Sequence, residues 1–198
     1  MKKWLVPVLI IGAIVLGLYL LTVGKYNNAV VKQETAQTAW SQVESAYQRR
    51  SDLIPNLVNT VKGAADFERG TLTDVIEARA KATSVNVDAS NITQENLQQF
   101  QQAQGEVSSA LSRLLVTVER YPELRATQNF QQLQSQLEGT ENRINVERNR
   151  YNEQVRDYNT YIRKFPNNLI VGMYGFERMP LFEADPGSEN APEVDFDF

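Results

Sequence analysis

A chain of 198 residues with neither Cys nor His has no disulfide framework, no thiolate nucleophile and no imidazole to shuttle protons or ligate a metal. Zinc sites, Ser-His-Asp triads and Cys-His dyads are excluded, only carboxylates, Lys, Tyr, Ser and Thr remain to run chemistry, and no cofactor is expected. The formal net charge is −4, and every acidic residue lies beyond Lys25, so the chain is a poor nucleic-acid ligand.

The first element is apolar. WLVPVLIIGAIVLGLYLLTV, Trp4 to Val23, carries no charge, and as a helix rising ~1.5 Å per residue it spans ~30 Å, the thickness of a hydrocarbon core. A cleaved signal peptide is the competing reading, but the run outlasts an h-region and no A-x-A-like site follows in TVGKYNNAV. Trp4 stands where an interfacial anchor is expected. Lys2, Lys3 and the amino terminus on one side outweigh Lys25 and Lys32 on the other. The positive-inside rule therefore leans towards a cytoplasmic N-terminus and an extracytoplasmic remainder on a single-pass span.

Four amphipathic helices are predicted beyond the span. The first runs from Tyr26 to Arg50, with Ala36, Ala39, Trp40, Val43, Ala46 and Tyr47 at helical spacing; only Gly24 separates it from the membrane run. The second, from Leu53 to about Lys81, carries Leu57, Val58, Val61, Leu72 and Val75. TSVNVDASN, Thr83 to Asn91, is a polar loop. The third opens on Thr93 as N-cap, with Glu95 in its first turn and Ile92 and Leu97 as a hydrophobic staple, and Pro122 ends it. The fourth is the most regular: Phe130, Leu137, Ile144, Tyr151, Tyr158 and Phe165 recur every seventh residue, the pattern of a bundle or coiled-coil seam. Short connections between long helices favour antiparallel neighbours. The expected fold is all-α, a transmembrane helix followed by an elongated antiparallel bundle of about four helices. Its divisions are an anchor over 1–25, a bundle over 26–165, an extended segment over 166–182 packed on the bundle, and an acidic flexible tail over 183–198 whose Phe196 and Phe198 are unusual for pure disorder.

YQRRSDLIPNLVNTVKG, Tyr47 to Gly63, interrupts the apolar pattern. A turn at Ser51–Asp52 accounts for it: Asp52 becomes an N-cap, Pro55 sits in a first helical turn, and Arg49 and Arg50 answer the dipole of the preceding helix end. Two alternatives stay open. One is a single helix from Tyr26 to about Lys81 kinked at Pro55; the other is an anion or peptide site lined by Arg49, Arg50, Asp52 and Asn56.

The blocks RRSDLIPNLV, SRL…YPEL, LEGTENRI, RYNEQVRDYN and FPNN follow one another as they do in the LemA family of bacterial envelope proteins, which the chain closely resembles over most of Trp40 to Phe182. The resemblance implies a single-pass anchor with an antiparallel helical bundle and no reaction, the family having no established activity. It also makes a TPM-domain protein and a membrane zinc peptidase, often encoded beside family members, candidate partners. Within the family blocks, Glu138, Glu141, Asn142 and Arg143, then Arg150 to Asn159, read either as interhelical pairs that fix register or as part of a shared polar cluster with Arg49, Arg50 and Asp52. The latter requires the fourth helix to pass the RRSD stretch at Glu138–Arg143.

The leading function class is a non-enzymatic, self-associating scaffold, with the tyrosines of RNRYNEQVRDYNTYIR offered as an association face. A membrane-organising or remodelling oligomer is the alternative, although no basic amphipathic helix is visible. A carboxylate enzyme or metal-binding bundle built on Glu138 and Glu141 stands third, because such bundle sites also want Glu-x-x-His pairs.

Overall fold

The computed structural model describes residues 4–63 and 68–183. All regular structure among them is helical: α1 (Leu5–Lys62), α2 (Arg69–Ser84), α3 (Gln94–Val118), α4 (Pro122–Arg125), α5 (Gln128–Arg163) and α6 (Asn167–Gly172). Residues 184–198, which hold nearly all of the expected acidic tail with Phe196 and Phe198, lie outside the described set.

α1 corrects the predicted turn. It runs unbroken through Arg49, Arg50, Ser51, Asp52 and Pro55 to Lys62, so those residues are mid-helix, and Asp52 caps nothing. The kinked alternative is nearer, but the helix stops at Lys62 and α2 begins afresh at Arg69. An interior proline deletes a helical donor and costs about 3 kcal/mol. Here Pro55 lies on the exposed face. The carbonyl that it orphans, that of Ser51, accepts a hydrogen bond from Arg79 Nε at 2.8 Å, so the deficit is made good from α2. Local turn chemistry lost to a contact 28 residues away in sequence.

The helices alternate in direction. Lys32–Asp157 and Arg50–Glu141 fix α5 antiparallel to α1, and Lys81–Glu106 and Arg113–Asp74 fix α3 antiparallel to α2. The core has three sections along the rod. The distal one, farthest from the apolar run, joins Ile54, Leu57 and Val61 to Leu72, Val107, Leu114, Phe130 and Leu137. The middle one centres on Trp40, with Val43, Tyr47, Phe100, Ile144, Tyr151 and Phe182. The proximal one is small: Ala29, Tyr158, Ile162 and Val171.

α3 begins as the sequence signals. Thr93 accepts from the Asn96 backbone N–H at 3.2 Å while Asn96 Oδ1 accepts from the Thr93 N–H at 2.9 Å, and Ile92 and Leu97 are both buried. Of the six heptad positions in α5, Phe130, Leu137, Ile144, Tyr151 and Tyr158 are buried; at ~1.5–3 kcal/mol for each large apolar side chain, this seam is a principal source of stability. Phe165 is not part of it. The backbone turns extended at Lys164, α5 ends at Arg163, and the Phe165 ring is 80% exposed.

The segment after Pro166 opens with α6 and, past a turn at Gly175 whose φ of 76° suits glycine, continues as an irregular strap over 176–183. Beyond the bundle, the α1 residues of the apolar run are exposed, among them Leu9, Ile11, Ile14, Leu16, Leu18 and Leu20. α1 is the one described helix long and apolar enough to cross a membrane.

Candidate functional site

The register of α1 delivers an arginine into the core. Ala29, Ala36, Val43 and Leu57 are buried at seven-residue spacing, and Arg50 fills the place between Val43 and Leu57 with 2% exposure. A guanidinium cannot shed its charge, so burial requires partners for its protons. Nη1 donates to Ser108 Oγ and Glu141 Oε1, both at 2.7 Å; Nη2 donates to Gln104 Oε1 at 2.7 Å and to the Gln104 carbonyl at 3.0 Å. Its Cζ lies 5.1 Å from the centre of the Tyr47 ring. The four Nη hydrogens thus meet four acceptors on α3 and α5. They form a polar layer between the distal and middle core sections, which pins three helices in one register. Because those hydrogens are committed, an anion approaching the Nη edge has to displace one of these acceptors.

Beside this layer opens a cleft of about 250 Å³, whose lining includes Glu44, Tyr47, Arg50, Arg79, Phe100 and Gln104. Burial, with Asp88 adding to it, raises the Glu44 carboxyl above the usual carboxylate range; the Trp40 indole works against both, although its N–H does not reach hydrogen-bond geometry with any acceptor. The cleft therefore combines one guanidinium whose four Nη hydrogens are engaged, one that bridges to a backbone carbonyl, and one carboxyl whose ionisation is disfavoured.

Of the other residues singled out from sequence, Glu141 alone joins Arg50. Arg49, Asn56 and Asn142 are exposed. Asp52 accepts from Gln48 Nε2 at 2.9 Å, and Glu138 accepts from Gln134 Nε2 at 3.0 Å, both one helical turn away in solvent. Arg143 pairs with Glu147 at 2.7 Å; that carboxylate is 1% exposed and its second oxygen has no partner. Glu138 and Glu141 thus serve different neighbours, and no group of three His, Cys, Asp or Glu among the described residues is placed to hold a metal.

A second constellation follows from the twice-repeated Tyr-Asn of RYNEQVRDYN. Its hydrogen bonds do not run from helix to helix; they hold the strap. Asn152 pairs by both amide atoms with the Phe182 backbone (Nδ2 to the carbonyl at 3.1 Å, Oδ1 from the N–H at 2.9 Å). Asn159, one heptad on, does the same with Met179 (2.8 and 3.0 Å). Tyr151 and Tyr158 donate to the carbonyls of Pro180 and Glu177 at 3.0 and 2.8 Å. Burial pushes both phenols up, that of Tyr158 to about 12 with Glu177 contributing, so both stay protonated donors at neutral pH. An extended chain has one donor and one acceptor per residue to satisfy, and here side-chain amides provide what a neighbouring strand supplies in a sheet. Fully buried, Tyr151 and Tyr158 are not available as an association face. The seven-residue repeat of Tyr-Asn is visible in the sequence; its partner, main chain without a side-chain signature, is not.

The link between Pro55 and Arg79 has a measurable consequence. Pro55→Ala restores the missing helical donor, so Arg79→Ala costs about 1.5–3 kcal/mol in the proline background, the worth of a charged hydrogen bond, and markedly less in the Pro55→Ala background. Chemical denaturation of the four proteins of this double-mutant cycle reads the coupling; equal costs in both backgrounds dismiss the compensation.

Comparison with known proteins places these features in context. The model of the LemA family matches residues 39–196. Magnetosome protein MamQ 2 of Paramagnetospirillum magneticum is 26% identical over 83% of this chain and 67% of its own length. Magnetosome protein MamQ of Magnetospirillum gryphiswaldense matches to the same extent. Protein LemA of Metamycoplasma hominis is 23% identical over 84% of this chain and 72% of its own length.

Proposed function

The chain belongs to the LemA family, and we propose that it serves without catalysis, as a membrane-anchored, self-associating scaffold of the bacterial cell envelope. One observation carries this reading: the apolar span and the central bundle helix are a single helix, Leu5–Lys62, with no break between them. At ~1.5 Å per residue it is ~87 Å long. Such a helix ties the bundle rigidly to the axis of the span, which suits a protein that presents surfaces rather than one that turns over a substrate. The spent hydrogens of Arg50 and the separation of Glu138 from Glu141 favour the same conclusion.

In this reading the anchor holds the protein in the inner (cytoplasmic) membrane, with the bundle on the extracytoplasmic side. Candidate partners are a second copy, a TPM-domain protein or a membrane zinc peptidase. The test is made on full-length protein extracted in detergent. Light scattering that gives a mass above one copy, together with loss of membrane retention when residues 1–25 are deleted, is the expected result. Monomers at all concentrations remove self-association, and retention of the truncated chain through an alkaline wash that strips peripheral proteins removes the anchor. Labelling an engineered Ser112→Cys in intact cells reads the orientation, and modification only after lysis reverses it.

A further inference from the structure

We propose that segment 165–174 docks on the surface of the bilayer that α1 crosses, as a second, interfacial contact beside the span. The inference rests on the anchor reading above and adds a lipid-binding face to it.

Height comes first. α5 descends antiparallel to α1, and the Tyr161 hydroxyl donates to the Lys25 carbonyl at 3.1 Å. α5 continues two residues further, to Arg163, which at ~1.5 Å per residue is ~3 Å towards the membrane. Counted from the Lys32–Asp157 pair, the following Lys164 and Phe165 then stand close to Lys25 and Gly24, just past the uncharged run. The far end of the segment is held at nearly the same level, because Tyr26 meets Tyr174 edge-on at 4.9 Å and Phe176 at 5.6 Å.

Chemistry comes second. Val171 faces inward at 1% exposure, whereas Phe165, Leu169, Met173 and Tyr174 are 80%, 60%, 85% and 55% exposed. Four large apolar or amphipathic side chains on one short segment form a patch that water disfavours. Arg163 and Lys164, both exposed, flank it, and long basic side chains beside apolar ones are what a headgroup layer accommodates. Tyr174 adds the amphipathic ring typical of that depth. A bilayer surface is already at this height if α1 spans, so no further partner is needed to cover the patch. A second copy covering it has to lie in the headgroup layer itself.

Because the chain has no native Cys, single cysteines report position cleanly. Met173→Cys, Leu16→Cys and Val116→Cys, each carrying an environment-sensitive fluorophore, are compared in full-length protein reconstituted into vesicles with lipid-borne nitroxide quenchers. Leu16 lies in the span and Val116 is 67% exposed at the distal end of α3. The expected result is blue-shifted emission at Met173, quenched by nitroxides held just below the headgroups and protected from aqueous iodide, with Leu16 quenched by deep nitroxides and Val116 only by iodide. If Leu16 reports lipid while Met173 behaves like Val116, the interfacial contact is overturned and the anchor stands. If Leu16 does not report lipid, the anchor falls and the contact falls with it. Protection of Met173 without lipid quenching, accompanied by cross-linking between two Met173→Cys copies, assigns the patch to self-association and overturns the inference.

Discussion

Replacing Arg50 by alanine lowers the stability of the bundle by about 3 kcal/mol, whereas replacing the pair, Arg50→Met together with Glu141→Leu, leaves stability unchanged or raises it. Truncating one partner of a buried ion pair costs ~3–5 kcal/mol because the surviving polar groups lose their compensation. The lower end applies here, since the Glu141 side chain is 41% exposed and can rehydrate when Arg50 is gone. Gln104 and Ser108 lose their donor as well. For a chain of this size ~1 kcal/mol shifts Tm by roughly 2–4 °C, so a drop of about 6–12 °C in Arg50→Ala is expected by circular dichroism. Methionine at 50 with leucine at 141 fills both places with apolar volume, and such replacement of a whole pair is neutral or stabilising by ~1–4 kcal/mol. The two variants therefore separate stability from specificity. The double variant keeps the melting temperature, and the loss it shows is of a unique helix register, read as broadened amide resonances. An Arg50→Ala protein within about 0.5 kcal/mol of the parent, as for a surface change, contradicts the polar layer described above.

Trp40→Ala is expected to cost about 3–5 kcal/mol, as large-to-small changes of buried aromatics do. The indole has 0% exposure and is the hub of the middle core, edge-on to Phe100 at 5.2 Å and to Tyr151 at 5.6 Å. It also stacks on Phe182 at 5.8 Å with planes 17° apart, so the strap depends on it. Two readouts are predicted to move together: a lower denaturation midpoint, and faster proteolytic cleavage within 176–183. Asn152→Ala supplies the contrast. It removes both amide bonds to Phe182 while leaving the core intact, so it speeds strap cleavage with a smaller change in midpoint. Unchanged cleavage in both variants means that the strap is not held as described.

Much of this fold is legible because periodicity reports burial. The seam of α5 and the capping of α3 follow from spacing and from Thr93, both local properties. The turn at Ser51–Asp52 misleads for the same reason: Asp three residues before Pro is a strong local signal for a helix start, and nothing nearby announces that Arg79 supplies the Ser51 carbonyl. Which of Arg49 and Arg50 is buried is readable in principle, since Ala36, Val43 and Leu57 place Arg50 in register, but a charge in a seam is discounted on composition. Phe165 misleads in the opposite direction. Counting by sevens extrapolates past a helix end, whereas the backbone at Lys164 does not. Of the polar cluster, only the Arg50–Glu141 link forms, because Arg49, Asp52 and Asn142 project from outer faces of their helices.

With α1 spanning the membrane as proposed, its continuity makes bilayer thickness a mechanical input. A span tilted by ~20° from the membrane normal, an ordinary value that varies with hydrocarbon depth, carries its tilt undiminished into the stretch beyond Val23, which is ~58 Å long. The tip near Lys62 is then displaced sideways by ~20 Å. Any neighbour touching the distal end thereby senses, through a lever without a joint, how thick the lipid is about sixty ångströms below.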